Sequence, residues 1–368
     1  MTSSVLSSRA LNRATLARQL LLRRSPMSAV AAIHHLAGLQ AQAPFPPYYA
    51  LWARLSGFSP ADLSKLILDR SVVRTALLRG TVHLVTAADC LAWRPAVQPL
   101  LAQSLRGANQ HAPELAGLDL DDVAKTAREL LAERTRTSAE LGRALAEHWP
   151  GRAPSSLVFA ARNLLPLIQV PPRGVWGKAG QPAYQTAEDW LGGELGEPDL
   201  EGLVLRYLGA FGPASVADVQ VWAGITRLGE VVDRLRPRLR VFRDEHGREL
   251  VDLPDAPRPD PDTPAPPRFL GAYDQLVLSY ADRTRVLTDE HRKRLITKNA
   301  VINGTVLAGG MIRGSWKTVK AGRRATLVVT PFERLSKRDT TALASAGARL
   351  LEFAEPAAED HDIRFEAD

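Results

Sequence analysis

The stretch Gly38-Leu39-Gln40-Ala41-Gln42-Ala43-Pro44 sets two glutamines two residues apart where a helix has to stop. Gly38 can take the left-handed conformation that closes a helix, and Pro44 biases its predecessor towards extended geometry. In an extended chain the side chains at i and i+2 share a face, whereas on a helix they point apart. Two amides aimed at one point, each with a carbonyl acceptor and an NH2 donor, can hold a water molecule. The residues alone equally allow a polar loop whose glutamines cap a neighbouring helix. Other chemistry is scarce: the sequence has no HExxH, no Walker loop and no GxSxG. His34 and His35 are adjacent on an expected helix, about 100° apart, and make a poor metal pair. Cys90 is the only cysteine, which leaves no intramolecular disulfide and no cysteine-based zinc or iron–sulfur site. No metal and no cofactor are expected.

The elements around the glutamines repeat one plan, helices followed by a β-hairpin. In the first copy, Leu11, Leu16, Leu20 and Leu21 form a helical stripe, Ser28 starts a second helix and Ser59-Pro60 a third. Val72 to Leu78 and Thr81 to Val85 then read as strands joined at Arg79-Gly80, a wing. A helical connector from Ala87 to about Leu105 leads to the second copy, whose capping box is Thr137-Ser138-Ala139-Glu140 and whose wing is Leu167 to Val170 with Pro182 to Gln185. Ser215 to Asp218 opens the capping box of the third, with a wing around Asp244-Glu245-His246-Gly247. Helices followed by a hairpin make the winged-helix unit, a helix-turn-helix variant that reads DNA. The expected fold is α+β: three tandem winged helices over residues 9–106, 118–190 and 199–253, a linker over 254–268, and a small β-rich, barrel-like domain over 269–368. Seven of the fifteen linker residues are proline.

Composition sets the outer limits. Of 368 residues, 45% are hydrophobic and 24% charged, the balance of a soluble globular protein. A formal net charge of +7 suits an anionic partner, although arginine-rich codon usage alone would raise it. The start, Met1 to Arg9, lacks the basic and apolar blocks of a secretory leader, and no apolar run is long enough to span a bilayer. A cytoplasmic protein without membrane contact is expected.

His35 to Pro44, followed by Leu78-Arg79-Gly80-Thr81-Val82-His83-Leu84-Val85, resembles the winged-helix DNA glycosylases of the AlkZ type. So do Ala272 to Tyr280, which contains Tyr273-Asp274-Gln275, and Gly310 to Lys317. The resemblance implies a monofunctional glycosylase in which Gln40-Ala41-Gln42 is the catalytic Gln–apolar–Gln motif. It implies action on N7-alkylated guanine in double-stranded DNA, interstrand crosslinks of the azinomycin type included. A related branch has aspartate at the second position; Gln42 departs from it and points to the crosslink and self-resistance branch. For DNA contact the expected residues are Thr81 and His83 on the first wing, and Lys317, Lys320, Arg323 and Arg324 on a C-terminal hairpin. Tyr273 and Asp274 are supporting candidates. A monomer is expected, with an open groove and little base flipping, since a bulky crosslink is hard to extrude. The competing readings are a winged-helix regulator without catalysis and a protein that sequesters a drug.

Overall fold

The computed structural model describes residues 4–295 and 302–366, so that 1–3, 296–301 and 367–368 of the expected segments lie outside the described residues. The chain opens with β1 (Val5–Leu6) and α1 (Ser8–Arg18), followed by α2 (Ala29–His35), β2 (Leu39–Gln40), α3 (Pro46–Arg54) and α4 (Pro60–Leu68). The first hairpin, β3 (Val72–Ala76) and β4 (Val82–Thr86), turns through a 3-10 turn at Leu78–Gly80 and feeds α5 (Ala87–Arg106). The leucine stripe therefore outruns its helix: Leu20 lies past α1 with φ +57.

A second helix-and-hairpin segment holds α6 (Ala112–Leu115), α7 (Leu120–Glu133), β5 (Arg136–Thr137), α8 (Ser138–His148), α9 (Pro154–Leu164), β6 (Leu167–Val170), β7 (Ala183–Thr186) and α10 (Ala187–Leu191). The third has α11 (Leu200–Phe211), α12 (Val216–Ala223), α13 (Leu228–Leu235), β8 (Arg240–Asp244) and β9 (Glu249–Asp252). Thr137 with Glu140 and Ser215 with Asp218 form the capping boxes that start α8 and α12, each satisfying two helix-end amides reciprocally.

The first two hairpins do not stand free as separate wings. They join edge to edge in a six-stranded sheet of order β2-β4-β3-β6-β7-β5, with Arg74 opposite Gln169 and Thr75 opposite Ile168. Pairing satisfies backbone groups that two exposed edges would leave open. The third hairpin gains β1 as a parallel neighbour of β8.

After Asp252 the proline-rich segment is irregular, yet it is strapped down. The backbone oxygens of Pro257, Pro261 and Thr263 accept from Arg18, Arg9 and Arg13 of α1. The C-terminal region is not a barrel. β10 (Arg268–Leu270), α14 (Asp289–Leu295), β11 (Gly304–Ala308), β12 (Met311–Ala321), β13 (Arg324–Pro331), α15 (Lys337–Ala354) and β14 (Asp360–Phe365) build an open five-stranded sheet in the order β10-β11-β12-β13-β14. Its last strand pairs parallel to β13 after crossing over through α15, so β10 and β14 end at opposite edges and the sheet does not close. Gln275–Val277 forms a 3-10 turn capped by Leu278, because the Asp274 carboxylate captures the Leu276 amide.

The hydrophobic cores cross the expected boundaries. One joins Val73, Leu77, Val85, Val97 and Leu101 of the first segment to Tyr207, Phe211 and Trp222 of the third. Another joins Leu16, Trp52 and Ala53 to the C-terminal sheet. Between them runs α1, whose polar groups are buried and paired. Arg18 forms an ion pair with Asp252 at 2.7 Å with both side chains fully buried, Asn12 donates to the carbonyls of Arg285 and Gly310, and Thr15 bonds the Tyr280 hydroxyl.

Candidate active site

The helix before the glutamines ends as its residues require. Ala37 and Gly38 both take positive φ, and the Gly38 amide reaches back to the Ile33 carbonyl. A side chain at Gly38 would meet Val85 at 2.7 Å, so only glycine lets the loop lie against β4. Gln40 then pairs with His83 across the sheet, and the Ala41 amide donates to the Val82 carbonyl at 2.7 Å.

Both glutamines turn their carbonyl oxygens to the first hairpin. Gln40 Oε1 accepts from Arg79 Nη2 at 2.8 Å, and Gln42 Oε1 accepts from the Val82 amide at 3.2 Å. Gln40 is buried while Gln42 is exposed. Each amide keeps its NH2 and one oxygen lone pair free of hydrogen bonds among the described residues. A water donating to one carbonyl and accepting from the other NH2 suits that set.

Two buried arginines hold this loop, and sequence reasoning singled out neither. Arg74, from the centre of β3, donates to the Ala41 carbonyl at 2.9 Å and to Gln169 Oε1 at 3.2 Å, with longer contacts to the carbonyls of Ala43 and Pro44. Burial, then Arg173, lowers its pKa to about 10. Arg79 sits in the hairpin turn with φ +54 and, besides Gln40, donates to the Trp222 carbonyl of α12. Burial, then Arg283, lowers Arg79 to about 10, so both guanidiniums stay charged at neutral pH. Arg74 has a sequence signal, a charge on the strand face it shares with Val72 and Ala76; Arg79 was visible as a turn residue and within the family motif, with no role assigned to it. Arg283 is a third cation missed. It is half-buried and donates to the Tyr280 carbonyl at 3.3 Å, and burial and then Arg292 lower its pKa.

The other expected residues fall in different places. Thr81 is half-buried behind the turn and bonds the Leu78 carbonyl. His83 is 3% exposed. Its Nε2 accepts from Arg79 and its Nδ1 donates to the Thr81 carbonyl, so the ring is a neutral brace under Gln40. Burial, aided by Arg79, pushes its pKa down to about 3. Asp274 is spent on Arg54, in a bidentate pair at 2.7 and 2.8 Å with both side chains buried. Its neighbour Gln275 donates to the Leu36 carbonyl at the end of α2, which ties this motif to the base of the glutamine loop. Tyr273, at φ +56, packs half-buried on the C-terminal core. Lys317, Lys320, Arg323 and Arg324 are exposed along β12 and β13, whose turn carries Gly322 at φ +59. Lys320, Arg323 and Arg324 are paired with Glu355, Glu359 and Asp360.

No metal-binding group of histidines, cysteines and carboxylates occurs among the described residues, and no helix there is long and apolar enough to cross a membrane. Among them no carboxylate bonds either glutamine. The arrangement is thus a neutral amide pair backed by buried cations, whose amides can hold a water molecule but cannot ionise to deprotonate one.

Comparison with known proteins identifies the family. The family model described as DNA glycosylase AlkZ-like matches residues 33–353, and the chain belongs to that family of DNA glycosylases. A curated relative, the interstrand DNA cross-link repair glycosylase of Streptomyces sahachiroi, is 27% identical over 345 residues, covering 86% of this chain and 88% of its own. The solved structure of Streptomyces sahachiroi DNA glycosylase AlkZ superposes with a TM-score of 0.79 at 21% identity, over 98% of this chain and 100% of that one, which shows a shared fold. The protein is an enzyme, and the regulator reading gives way.

Proposed function

We propose that the protein hydrolyses the N-glycosidic bond of N7-alkylated guanine in duplex DNA, interstrand crosslinks of the azinomycin type included, with Gln40 and Gln42 orienting the attacking water. The observation that carries this reading is the amide pair itself: both carbonyls are anchored on one hairpin, and both NH2 groups are unused. Alkylation at N7 makes the purine cationic, so it leaves as a neutral base and the bond is already weak. What remains is to position water at the anomeric carbon and to turn carbonyl dipoles towards an oxocarbenium-like centre. A glutamine suffices for that, and a normal guanine, a poor leaving group, is refused.

The cross-link substrate draws support from the relative at 27% identity, whose name states that activity. An open site is supported by the exposure of Gln42; a crosslinked base is then attacked where it lies, with little flipping. The three helix-and-hairpin segments are read as winged helices acting as a monomer in the cytoplasm. The basic hairpin joins them as a DNA contact, since exposed ion pairs are weak enough for phosphates to displace the carboxylates. The test is release of free base from duplexes carrying 7-methylguanine or an N7–N7 crosslink. Release from either supports the reading; silence on both overturns it.

A further inference from the structure

Arg79 is built into the molecule in a way its neighbours in the turn are not. Its guanidinium spans two segments: Nη2 donates to Gln40 Oε1 and meets His83 Nε2 at 3.3 Å, while Nη1 donates to the Trp222 carbonyl. Trp222 lies in the last turn of α12, where helix carbonyls lack intrahelical partners and favour a cation. The backbone is equally committed. Arg79 holds a left-handed φ of +54, a conformation that persists in a non-glycine residue only when its surroundings fix it. Here they do: the α12 C-cap Gly224, at φ +75, lies so close that a Cβ there would stand 2.8 Å from Arg79 Cα.

We propose that Arg79 is the positioning residue of the glutamine site, and that it makes the alignment of Gln40 depend on docking of the first hairpin against α12. This rests on the reading of Gln40 as a water-orienting group. An amide side chain is free to rotate about its last torsion, and a loose amide would aim its NH2 and its carbonyl interchangeably. With Oε1 held by a fixed cation, only the NH2 and the second oxygen lone pair face the reactants. The planar fork of arginine reaches both Trp222 and Gln40 at once; the single ammonium of lysine cannot. His83 completes the support by accepting from the same nitrogen while remaining neutral.

A merely structural cap on α12 would behave differently, and single-turnover kinetics separates the two. With folded enzyme saturating and in excess over lesion-bearing duplex, the amplitude is set by the DNA and the rate constant does not depend on the fraction of enzyme that is folded. Arg79→Ala is expected to lower the rate constant roughly 10- to 100-fold with little change in DNA affinity, and Arg79→Lys to recover part of it. Gly224→Ala, which displaces the Arg79 backbone, is expected to slow the same step while its purified folded fraction still binds DNA. An Arg79→Ala protein that binds and reacts at the wild-type rate constant overturns the proposal. So does one whose defect lies wholly in affinity. Wild-type protein that releases no base from any substrate brings down the glycosylase reading and this role with it; active wild type with unslowed Arg79→Ala brings down this role alone.

Discussion

At the scale of single residues, the site contains no group that titrates near neutrality. The glutamines cannot ionise, and His83 is held neutral by burial beside Arg79. The rate of base release is therefore expected to be flat between about pH 6 and pH 9; a bell-shaped profile would reveal an acid or base that this site lacks. His83 should instead appear in stability. Its folded pKa lies near 3, below the value of about 6.5 it has when unfolded. Its contribution is thus present above about pH 6.5 and is lost as pH falls towards 3, by at most about 1.4 kcal/mol per pH unit. Denaturant titrations of wild type and His83→Gln across that window check this: the variant should show a shallower loss. Asp274 is a second residue whose role is mechanical. Removing its charge leaves Arg54 buried and unpaired, so Asp274→Asn should cost about 3–5 kcal/mol and leave the single-turnover rate constant unchanged.

Among the elements, the first hairpin carries most of the positioning. It pairs with the glutamine strand on one edge and with the second segment on the other, and Arg74 crosses from one to the other through its core. Gly174 lets it through, since a Cβ there would stand 2.8 Å from the Arg74 chain. Replacing Arg74 with methionine orphans the Ala41 carbonyl and Gln169, at a cost on the order of 2–3 kcal/mol. The measurement is the denaturant midpoint, and an unchanged midpoint would mean the clamp is idle.

Much at this scale was legible in the sequence because it is local. The capping boxes at Thr137 and Ser215, the turn at Arg79-Gly80 and the helix stop at Gly38 each follow from residue chemistry within four positions. The features that were not legible depend on contacts far apart in sequence. The pairing of Arg74 with Gln169 spans 95 positions, and that of Arg79 with Trp222 spans 143. The sheet edge β14 was also missed, because its pairing with β13 exists only once α15 has folded across between them. Of the candidate site, Gln40 and Gln42 came from the motif. The cations that hold them came only from the fold.

For the molecule as a whole, charge placement matters more than the net +7. The basic hairpin balances three of its four named cations against carboxylates, whereas Arg283 faces Arg79 and Arg292 and takes part in no ion pair among the described residues. Arg292 has Asp289 as its partner, so of these two Arg283 is the cation that lacks one among the described residues, and a DNA phosphate would supply it. Arg283→Ala should then reduce the slope of log affinity against log salt by about one, read from binding isotherms at several salt concentrations. An unchanged slope would remove Arg283 from the DNA path.

On the proposed reading, two neutral amides perform the hydrolysis. The most direct test is single-turnover release of 7-methylguanine from duplex DNA by wild type and by the Gln40→Ala/Gln42→Ala protein, with DNA affinity measured alongside. Release by wild type is expected, with loss of at least about 100-fold in the double variant and equal affinity for both. A double variant that binds DNA and releases base at the wild-type rate would contradict the claim.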